Sequence, residues 1–481
     1  MTSPVRDAYD GIRASVRRIT DTVADPEEVV LNPDAPADSV EAKPPYRLKD
    51  LYPEIDRYRT ISTDRWYSRD VMQAEWDKLL TRSWLMAGRV QDCAAVGDWF
   101  KFDIGPESII VVRGKDDVIR AFYNACTHRG NRLVRDDWGK NFKCFTCSFH
   151  SWMFSTEGRN VRVTDRETFA PELLNDEIHL REVHAQVFGG FVFVNMAENP
   201  QPFEEYFGGV MPWWAKYGME DWHVVKDMTC QVPANWKITM DAFQELYHVH
   251  QVHPQTLNLT QDYILQNDFY PNGHCRTLVP IAEPTPRLHN DESLSEGLAY
   301  LLREVGVDPE TFTGGWSGAR KAIQQAKRRP DNPFGLDYSR LADNQLSDDW
   351  TFALFPNVTF NTHPEGALVM RFRPHETDPE QCYYDVFVLC PKLQPGRVLP
   401  AYMGVGPEAD ISGDTRPPRE RLHRADIGEV LAQDTDAVPF VQLGIHSRGV
   451  RGVVRLSSQE KRLQQFYAEI DRYLSGQKQR S

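Results

Sequence analysis

The sequence has little cysteine, no long apolar run and no excess of positive charge. Eight cysteines are scattered over 481 residues, too few for the disulfide framework of a small secreted domain. The first ten residues include acidic side chains and lack the apolar core of an export signal, and no run elsewhere reaches the ~18 apolar residues of a membrane span. These absences predict an unexported, cytoplasmic chain without a membrane segment, whose reduced thiols are free to hold a metal. Lys and Arg number 55 against 69 Asp and Glu, a formal charge of −14, which argues against a general nucleic-acid binder. There is no P-loop, no GxGxxG, no internal repeat and no low-complexity tract.

A composition of 41% hydrophobic and 26% charged residues is that of a folded chain, and the length suggests roughly two to four units. Val5, Tyr9, Ile12, Val16, Ile19 and Val23 recur at helical steps. The proline-rich stretch from Ala24 to Pro45 reads as an extended arm, docking on its own body or on a neighbouring subunit. A helical pattern covers Ser68 to Leu80, and then the period changes to short β-type runs from Ser83 onward, with Gly114-Lys-Asp-Asp as a hairpin turn. Pro233 to Pro254 reads largely as helix, Thr256 to Asp349 as a polar, irregular tract, and further strands follow at Thr351, Ala367 and Tyr383. Ser457 and Glu460 have capping-box spacing ahead of a final amphipathic helix.

Cys126-Thr-His128 and Cys147-Ser-Phe-His150 form a Cys-X-His and a Cys-X2-His pair, with 18 residues between His128 and Cys147. Two thiolates and two imidazoles suit one tetrahedral zinc, or a [2Fe-2S] cluster with the cysteines on one iron and the histidines on the other. Ligand count alone does not decide. Each segment supplies one sulfur and one nitrogen, which suits two β-loops clasping a two-iron rhomb. Cys144 is superfluous as a fifth donor and reads as an ordinary thiol. Arg129, Arg132, Arg135, Lys140 and Lys143 outnumber Asp136 and Asp137 on the connecting loop, which is either a docking patch for an acidic electron donor or a solvated basic loop.

The segments from Asn124 to Leu133 and from Phe145 to Arg159 resemble the two cluster-binding loops of Rieske proteins, in particular the Rieske non-haem iron oxygenases that hydroxylate aromatic rings. The resemblance implies that Cys126 and Cys147 hold the buried iron while His128 and His150 hold the outer one. Where the family often has Pro after the second Cys and Gly before the Trp, this chain has Ser148 and Ser151.

Glu245-Leu-Tyr-His248-Val-His250-Gln-Val-His253-Pro254 is a second cluster of donors. On a helix Glu245 and His248 share a face and His250 points elsewhere, while Pro254 lets His253 swing back after the helix has ended. Two histidines and one carboxylate on an open metal make the facial triad of non-haem Fe(II) oxygenases. The same family is similar here: Asn235-Trp-Lys and Tyr247-His248 to His253 match its iron-binding segment, and Leu431-Ala-Gln-Asp434-Thr-Asp436 with Gln442 matches its late helix. This implies His248, His253 and Asp434 as iron ligands, with Asp436 as runner-up and His250 beside the site. Glu245 stands where most of the family has an Asp bridging the two metal centres, and some members that oxidise quaternary amines carry Glu there. Asp241 replaces a frequent Asn near the iron.

The resemblance, from about Trp66 to Leu474, implies an α+β fold: an N-terminal helix and arm (1–46), the start of a catalytic domain (47–85), an inserted β-rich Rieske [2Fe-2S] domain (86–188), and a helix-grip, START-like catalytic domain (189–481). The implied activity is that of a terminal oxygenase that takes dioxygen, and electrons from a ferredoxin or flavin reductase fed by NAD(P)H, and hydroxylates a hydrophobic aromatic or polycyclic substrate. The alternative is a monooxygenase or demethylase acting on a quaternary amine. Each chain would carry one [2Fe-2S] cluster and one mononuclear Fe(II), with Glu245, His248, His253 and Asp434 as the catalytic set. The implied assembly is a ring, most simply a trimer, with or without a small beta subunit, in which His150, Glu245 and His248 bridge neighbouring chains. A Rieske electron carrier, a zinc-stabilised module and a zinc hydrolase are the other readings. Phe243, Phe360 and Met370 are expected in the pocket lining, with the Thr256 to Asp349 tract supplying much of the rest.

Overall fold

The computed structural model describes residues 46–288 and 293–479, apart from 394–398, 401–402, 407–408 and 415, together with residues 29, 31 and 44. The expected N-terminal helix and most of the arm lie outside the described residues. Strand β1 (Thr60–Ser62) leads into helix α1 (Arg69–Lys78), capped by Ser68, whose hydroxyl accepts from the Val71 amide. Helix α1 buries Glu75 against Lys237 at 2.8 Å, and Trp236 Nε1 donates to the same carboxylate at 3.3 Å. The Trp-Lys pair of the iron-binding segment thus anchors a helix that lies far upstream in the chain. Removing one partner of so buried a pair costs about 3–5 kcal/mol.

Seven residues after the end of α1, in one continuous stretch of chain, come β2 (Leu85–Arg89), β3 (Trp99–Ile104), β4 (Glu107–Arg113), β5 (Ile119–Tyr123), β6 (Trp138–Gly139), β7 (Cys144–Thr146), β8 (Met153–Ser155), β9 (Asn160–Arg162), β10 (Glu182–Phe188) and β11 (Phe191–Asn195). Seven of them form a sheet in the order β2-β11-β10-β5-β4-β3-β6, and β7-β8-β9 form a second. Alternation along β4 divides the interior: Ile109 and Val111 pack with Phe100 and Phe102, while Ile110 and Val112 pack with Trp99, Cys126, Cys147 and Trp152. The Gly114 turn is closed by the Asp117 amide donating to the Gly114 carbonyl at 3.0 Å. Leu85 at the start of β2 and Val194 near the end of β11 are register partners.

The remainder runs β12 (His223–Val232), α2 (Trp236–Asp241), α3 (Val249–Val252), β13 (Gln266–Phe269), β14 (Cys275–Val279), α4 (Glu296–Glu304), α5 (Gly315–Arg328), α6 (Asp343–Ser347), β15 (Asp349–Leu354), β16 (Val358–His363), β17 (Gly366–Pro374), β18 (Cys382–Cys390), β19 (Arg419–Leu422), α7 (Glu429–Gly444), β20 (Val453–Arg455) and α8 (Lys461–Leu474). Eight strands form one sheet, β13-β14-β15-β16-β17-β18-β12-β19, antiparallel except for the parallel β12–β19 pair. Strand β1 pairs with β20, so the chain on either side of the first sheet closes on itself.

Two expectations fail. The stretch from Pro233 to Pro254 is not one helix, since α2 ends at Asp241 and α3 begins at Val249. The tract from Thr256 to Asp349 is not irregular: it holds β13, β14 and α4 to α6. Leu298, Leu302, Ala319, Ile323 and Ala326 pack in one cluster, an apolar stripe diluted in sequence by the polar residues between them. Among the described residues no helix is long and apolar enough to cross a membrane.

Candidate metal centres and substrate cavity

Cys126 follows β5, and Cys147 to His150 occupy the turn between β7 and β8. The two loops close alike: the Gly130 amide donates to the Cys126 carbonyl at 2.8 Å and the Ser151 amide to the Cys147 carbonyl at 3.0 Å. Both cysteines are buried. Burial pushes the Cys126 thiol up. It acts on Cys147 too, but the amides of His150 and Phe149, with Asn131, outweigh it and hold that thiol below its ordinary value. His128 stacks on Trp152 at 4.8 Å and meets the His150 ring at 4.6 Å. Its Nδ1 is buried without a hydrogen-bond partner, an open ligand position.

Ser148 accepts from Asn131 Nδ2 at 3.2 Å. Ser151 has φ of 57°, the left-handed region that explains why glycine is common there. Among the described residues, the group of three His, Cys, Asp or Glu donors lying within 4.8 Å of one another is His248, His253 and Asp434. The four donors of the first constellation do not converge on one point, as a single zinc with bonds of about 2.0–2.3 Å requires. Two pairs facing two irons fit them. Cys144 lies apart, its Sγ 3.9 Å from the Thr146 hydroxyl.

In the second site His253 Nε2 lies 2.8 Å and His248 Nε2 3.4 Å from Asp434 Oδ1. The other ring nitrogens are occupied: His248 Nδ1 lies 2.5 Å from Glu245 Oε1, and His253 Nδ1 lies 2.7 Å from Gln433 Oε1. Each imidazole is therefore oriented with Nε2 toward the centre, the usual second-layer arrangement of a metal histidine. Burial works against a charged His248, but Glu245 and Asp434 outweigh it and push its pKa up to about 10. Burial likewise acts on Asp434, and His248 and His253 reverse it, holding the carboxyl below its usual range.

Glu245 sits in the bend between α2 and α3 and not on a continuous helical face; its reach to His248 comes from the turn. His253 leaves the helical region, with φ of −122° and ψ of 49°, as Pro254 dictates. Asp436 is 61% exposed and 3.8 Å from Arg424, away from the histidines. His250 has a buried Nδ1 without a partner, and its ring lies 6.0 Å from that of Tyr247. Gln442 joins the two segments of the resemblance, accepting from the Asn235 amide at 2.9 Å. Asp241 accepts from the Tyr467 hydroxyl, which accepts from Trp66 Nε1 at 2.9 Å. Burial, with help from Glu245 and Glu460, pushes the Asp241 carboxyl up to about 8. Sequence reasoning missed Gln433 and Tyr467; the position of Gln433 directly before Asp434 was the available signal.

A cavity of about 510 Å³ opens beside the triad. Its walls are mostly aliphatic, with Leu259, Ile323, Leu368, Met370 and Val388, and Phe243 also lines it. Phe360 does not. It lies on the opposite face of β16, packed against Phe191 and Trp214, because alternate residues of a strand face opposite ways. The Thr256 to Asp349 tract contributes Thr256, Leu301, Val305, Phe334 and others.

Residues 219–476 match the family model described as the ring hydroxylating alpha subunit, catalytic domain, and residues 83–173 match the Rieske [2Fe-2S] domain. The glycine betaine monooxygenase oxygenase subunit of Pseudomonas aeruginosa is 28% identical over 327 residues, 66% of this chain and 74% of that protein. The structure of a quaternary ammonium Rieske monooxygenase superposes with a TM-score of 0.61 at 20% identity, covering 86% of this chain and 95% of that one. Naphthalene 1,2-dioxygenase from Rhodococcus sp. gives 0.62 at 16% identity, covering 89% and 97%. A lone electron carrier, a zinc module or a zinc hydrolase does not fit this pair of domains. The chain belongs to the ring-hydroxylating alpha-subunit family, and is a Rieske non-haem iron oxygenase, an oxidoreductase that binds a [2Fe-2S] cluster in one domain and a mononuclear iron in the other.

Proposed function

We propose that this terminal oxygenase oxidises an N-methylated quaternary amine, with electrons from a ferredoxin or flavin reductase fed by NAD(P)H. The observation that carries the reading is Glu245, held 2.5 Å from His248 Nδ1, a glutamate where aromatic-ring members commonly have aspartate. The glycine betaine and quaternary ammonium monooxygenases among the similar proteins support it. The expected aromatic or polycyclic substrate has weaker support, and stays as a second reading because the cavity walls are largely aliphatic.

In this proposal Cys126, His128, Cys147 and His150 hold the cluster, and His248, His253 and Asp434 hold the mononuclear iron. The cluster supplies single electrons, and the iron supplies dioxygen activation. Glu245 and Gln433 accept the Nδ1 protons of His248 and His253, fixing both tautomers and leaving both Nε2 lone pairs for the metal. The aliphatic wall keeps bulk water from the reacting carbon. Hydroxylation of an N-methyl carbon consumes dioxygen, two electrons and two protons and gives the carbinol and one water; the carbinol then releases formaldehyde, a tertiary amine and a proton.

The chains work as a ring of three. Phe149, 57% exposed, adjoins His150, and Tyr247, 44% exposed, adjoins His248. Phe440, Val441 and Leu443 on α7 are exposed as well. Large apolar side chains beside both metal sites are suited to burial between chains. The exposed basic loop around Arg132 and Lys140 offers an acidic donor protein a landing surface.

Oxygen uptake by the reconstituted system on a panel of trimethylammonium compounds and polycyclic hydrocarbons tests the reading. One formaldehyde per dioxygen from an amine is expected. Diol formation from a hydrocarbon, with no amine consumed, would overturn it.

A further inference from the structure

The loop after β5 and the turn between β7 and β8 meet through one side chain, Asn131. Its carbonyl accepts the Cys126 amide at 2.9 Å, so its backbone belongs to the first cysteine loop. Its Nδ2 reaches across to the second, 3.6 Å from Cys147 Sγ and 3.2 Å from the Ser148 hydroxyl, and donates to the Arg132 carbonyl at 3.0 Å. A carbonyl oxygen only accepts, so the amide is turned with its nitrogen, and not its oxygen, toward the sulfur.

Ser148, where the family often has proline, gives this amide an oxygen acceptor on the second loop that proline lacks. Burial grades across the contact: Cys147 is 2% exposed, Asn131 is half-buried and Ser148 is exposed. The Asn131 amide thus lies at the boundary between the Cys147 sulfur and solvent. An apolar side chain of the same size there would leave the sulfur with one donor fewer and admit no water in its place.

Hydrogen bonds to the sulfurs and solvent exposure are among the quantities that set the potential of an iron–sulfur cluster. Reduction adds one electron and places more negative charge on the cysteine sulfurs, so a fixed N–H donor favours the reduced state. We infer that the Asn131 side chain, by donating to Cys147 Sγ, raises the reduction potential of the cluster and so sets how strong an electron donor the protein requires. Asn131 is a positioning residue that acts through Cys147. The inference rests on the proposed role of Cys147 as an iron ligand. A staple between two loops, without this effect, would change assembly and stability but leave the potential where it is.

The test is a redox titration of the cluster-loaded protein, followed by circular dichroism at one fixed pH. In Asn131→Leu, which keeps the size and loses the donor, the ratio of reduced to oxidised cluster at a given potential should fall ~3- to 10-fold. At ~59 mV per tenfold for one electron, that is a shift of about 30 to 60 mV downward. The Fe–S(Cys) stretching band in the resonance Raman spectrum should move up with it. Asn131→Gln disturbs the loop but retains a donor, and should recover at least half of the shift. Asn131→Ala admits water as a weaker donor, gives a smaller fall of the same sign, and serves if Asn131→Leu does not assemble its cluster. A wild-type potential in the cluster-loaded Leu variant, or in the Ala variant where that replaces it, overturns the inference, as does an equal fall in Gln and Leu. Cys147→Ala tests the ligand separately: a Rieske spectrum retained there sinks the ligand assignment, whereas its loss, with a wild-type potential in Asn131→Leu, sinks the inference alone.

Discussion

Glu245 grips His248 at two points: Oε1 lies 2.5 Å from the ring Nδ1, and Oε2 accepts the main-chain amide of the same residue at 3.1 Å. One carboxylate thereby fixes both the ring and the backbone from which the ring projects. Glu245→Gln keeps the length but loses the charge, so both metals should remain bound and reduction of the cluster should proceed normally. Cluster reoxidation with substrate and dioxygen should slow by about 100-fold. Single-turnover stopped flow on cluster absorbance separates the two steps, and wild-type reoxidation in an iron-replete variant would exclude Glu245 from the electron path.

Asp434 lies within hydrogen-bonding reach of His253, whereas Asp436, two residues on, is turned to solvent. Asp434→Ala should lose about one iron per chain and all turnover while keeping the visible spectrum of the cluster. Asp436→Ala should retain its metal and most of its activity. Iron analysis of the two variants checks this, and the opposite pattern would move the ligand.

The Asp241 carboxyl, raised by burial to about 8, makes stability depend on pH. A folded pKa above the ordinary value of 3.8 means that its contribution is complete below the unfolded pKa and is lost as pH rises through the folded one. The wild-type Tm should therefore fall from about pH 4 to about pH 8 and level off above that. Asp241→Asn is neutral throughout and keeps an acceptor for Tyr467, so its Tm should fall less over the same window. Parallel curves for the two proteins would contradict the assignment.

Ser151 holds φ of 57° in the turn after His150, a conformation that costs a non-glycine residue about 1 kcal/mol. Ser151→Gly should raise the unfolding free energy by about that amount, measured by denaturant titration of the cluster-loaded protein. A loss of stability would mean that the serine side chain compensates for its own backbone strain.

The donor sets were legible because each pair of ligands falls within a few residues of chain, and the hairpin at Gly114 because its turn residues are local. Asp434 was reachable only through resemblance, since nothing in its own neighbourhood marks it off from Asp436; the difference is the side of α7 that meets His253. The bend that carries Glu245 was not legible, because 242–248 contain no strong helix breaker and the turn is imposed by the site. Phe360 was misplaced by one residue of strand phase: its neighbour Asn361 faces the cavity.

Leu85 and Val194 lie side by side as partners in antiparallel strands, so the chain departs from its host and comes back through adjacent points. What lies between two such points can be lengthened, shortened or exchanged as long as the β2–β11 pair is kept, because Phe191 of β11 packs on Phe360 of β16 and Arg371 of β17 donates to the Met86 and Ala87 carbonyls of β2. Glu75 and Lys237 clasp across the seam, one upstream of the departure and one downstream of the return, so the host stays closed during such an exchange. Descent can thus adapt the electron-accepting half to a new redox protein while the oxidising half is adapted to a new molecule, each under its own selection.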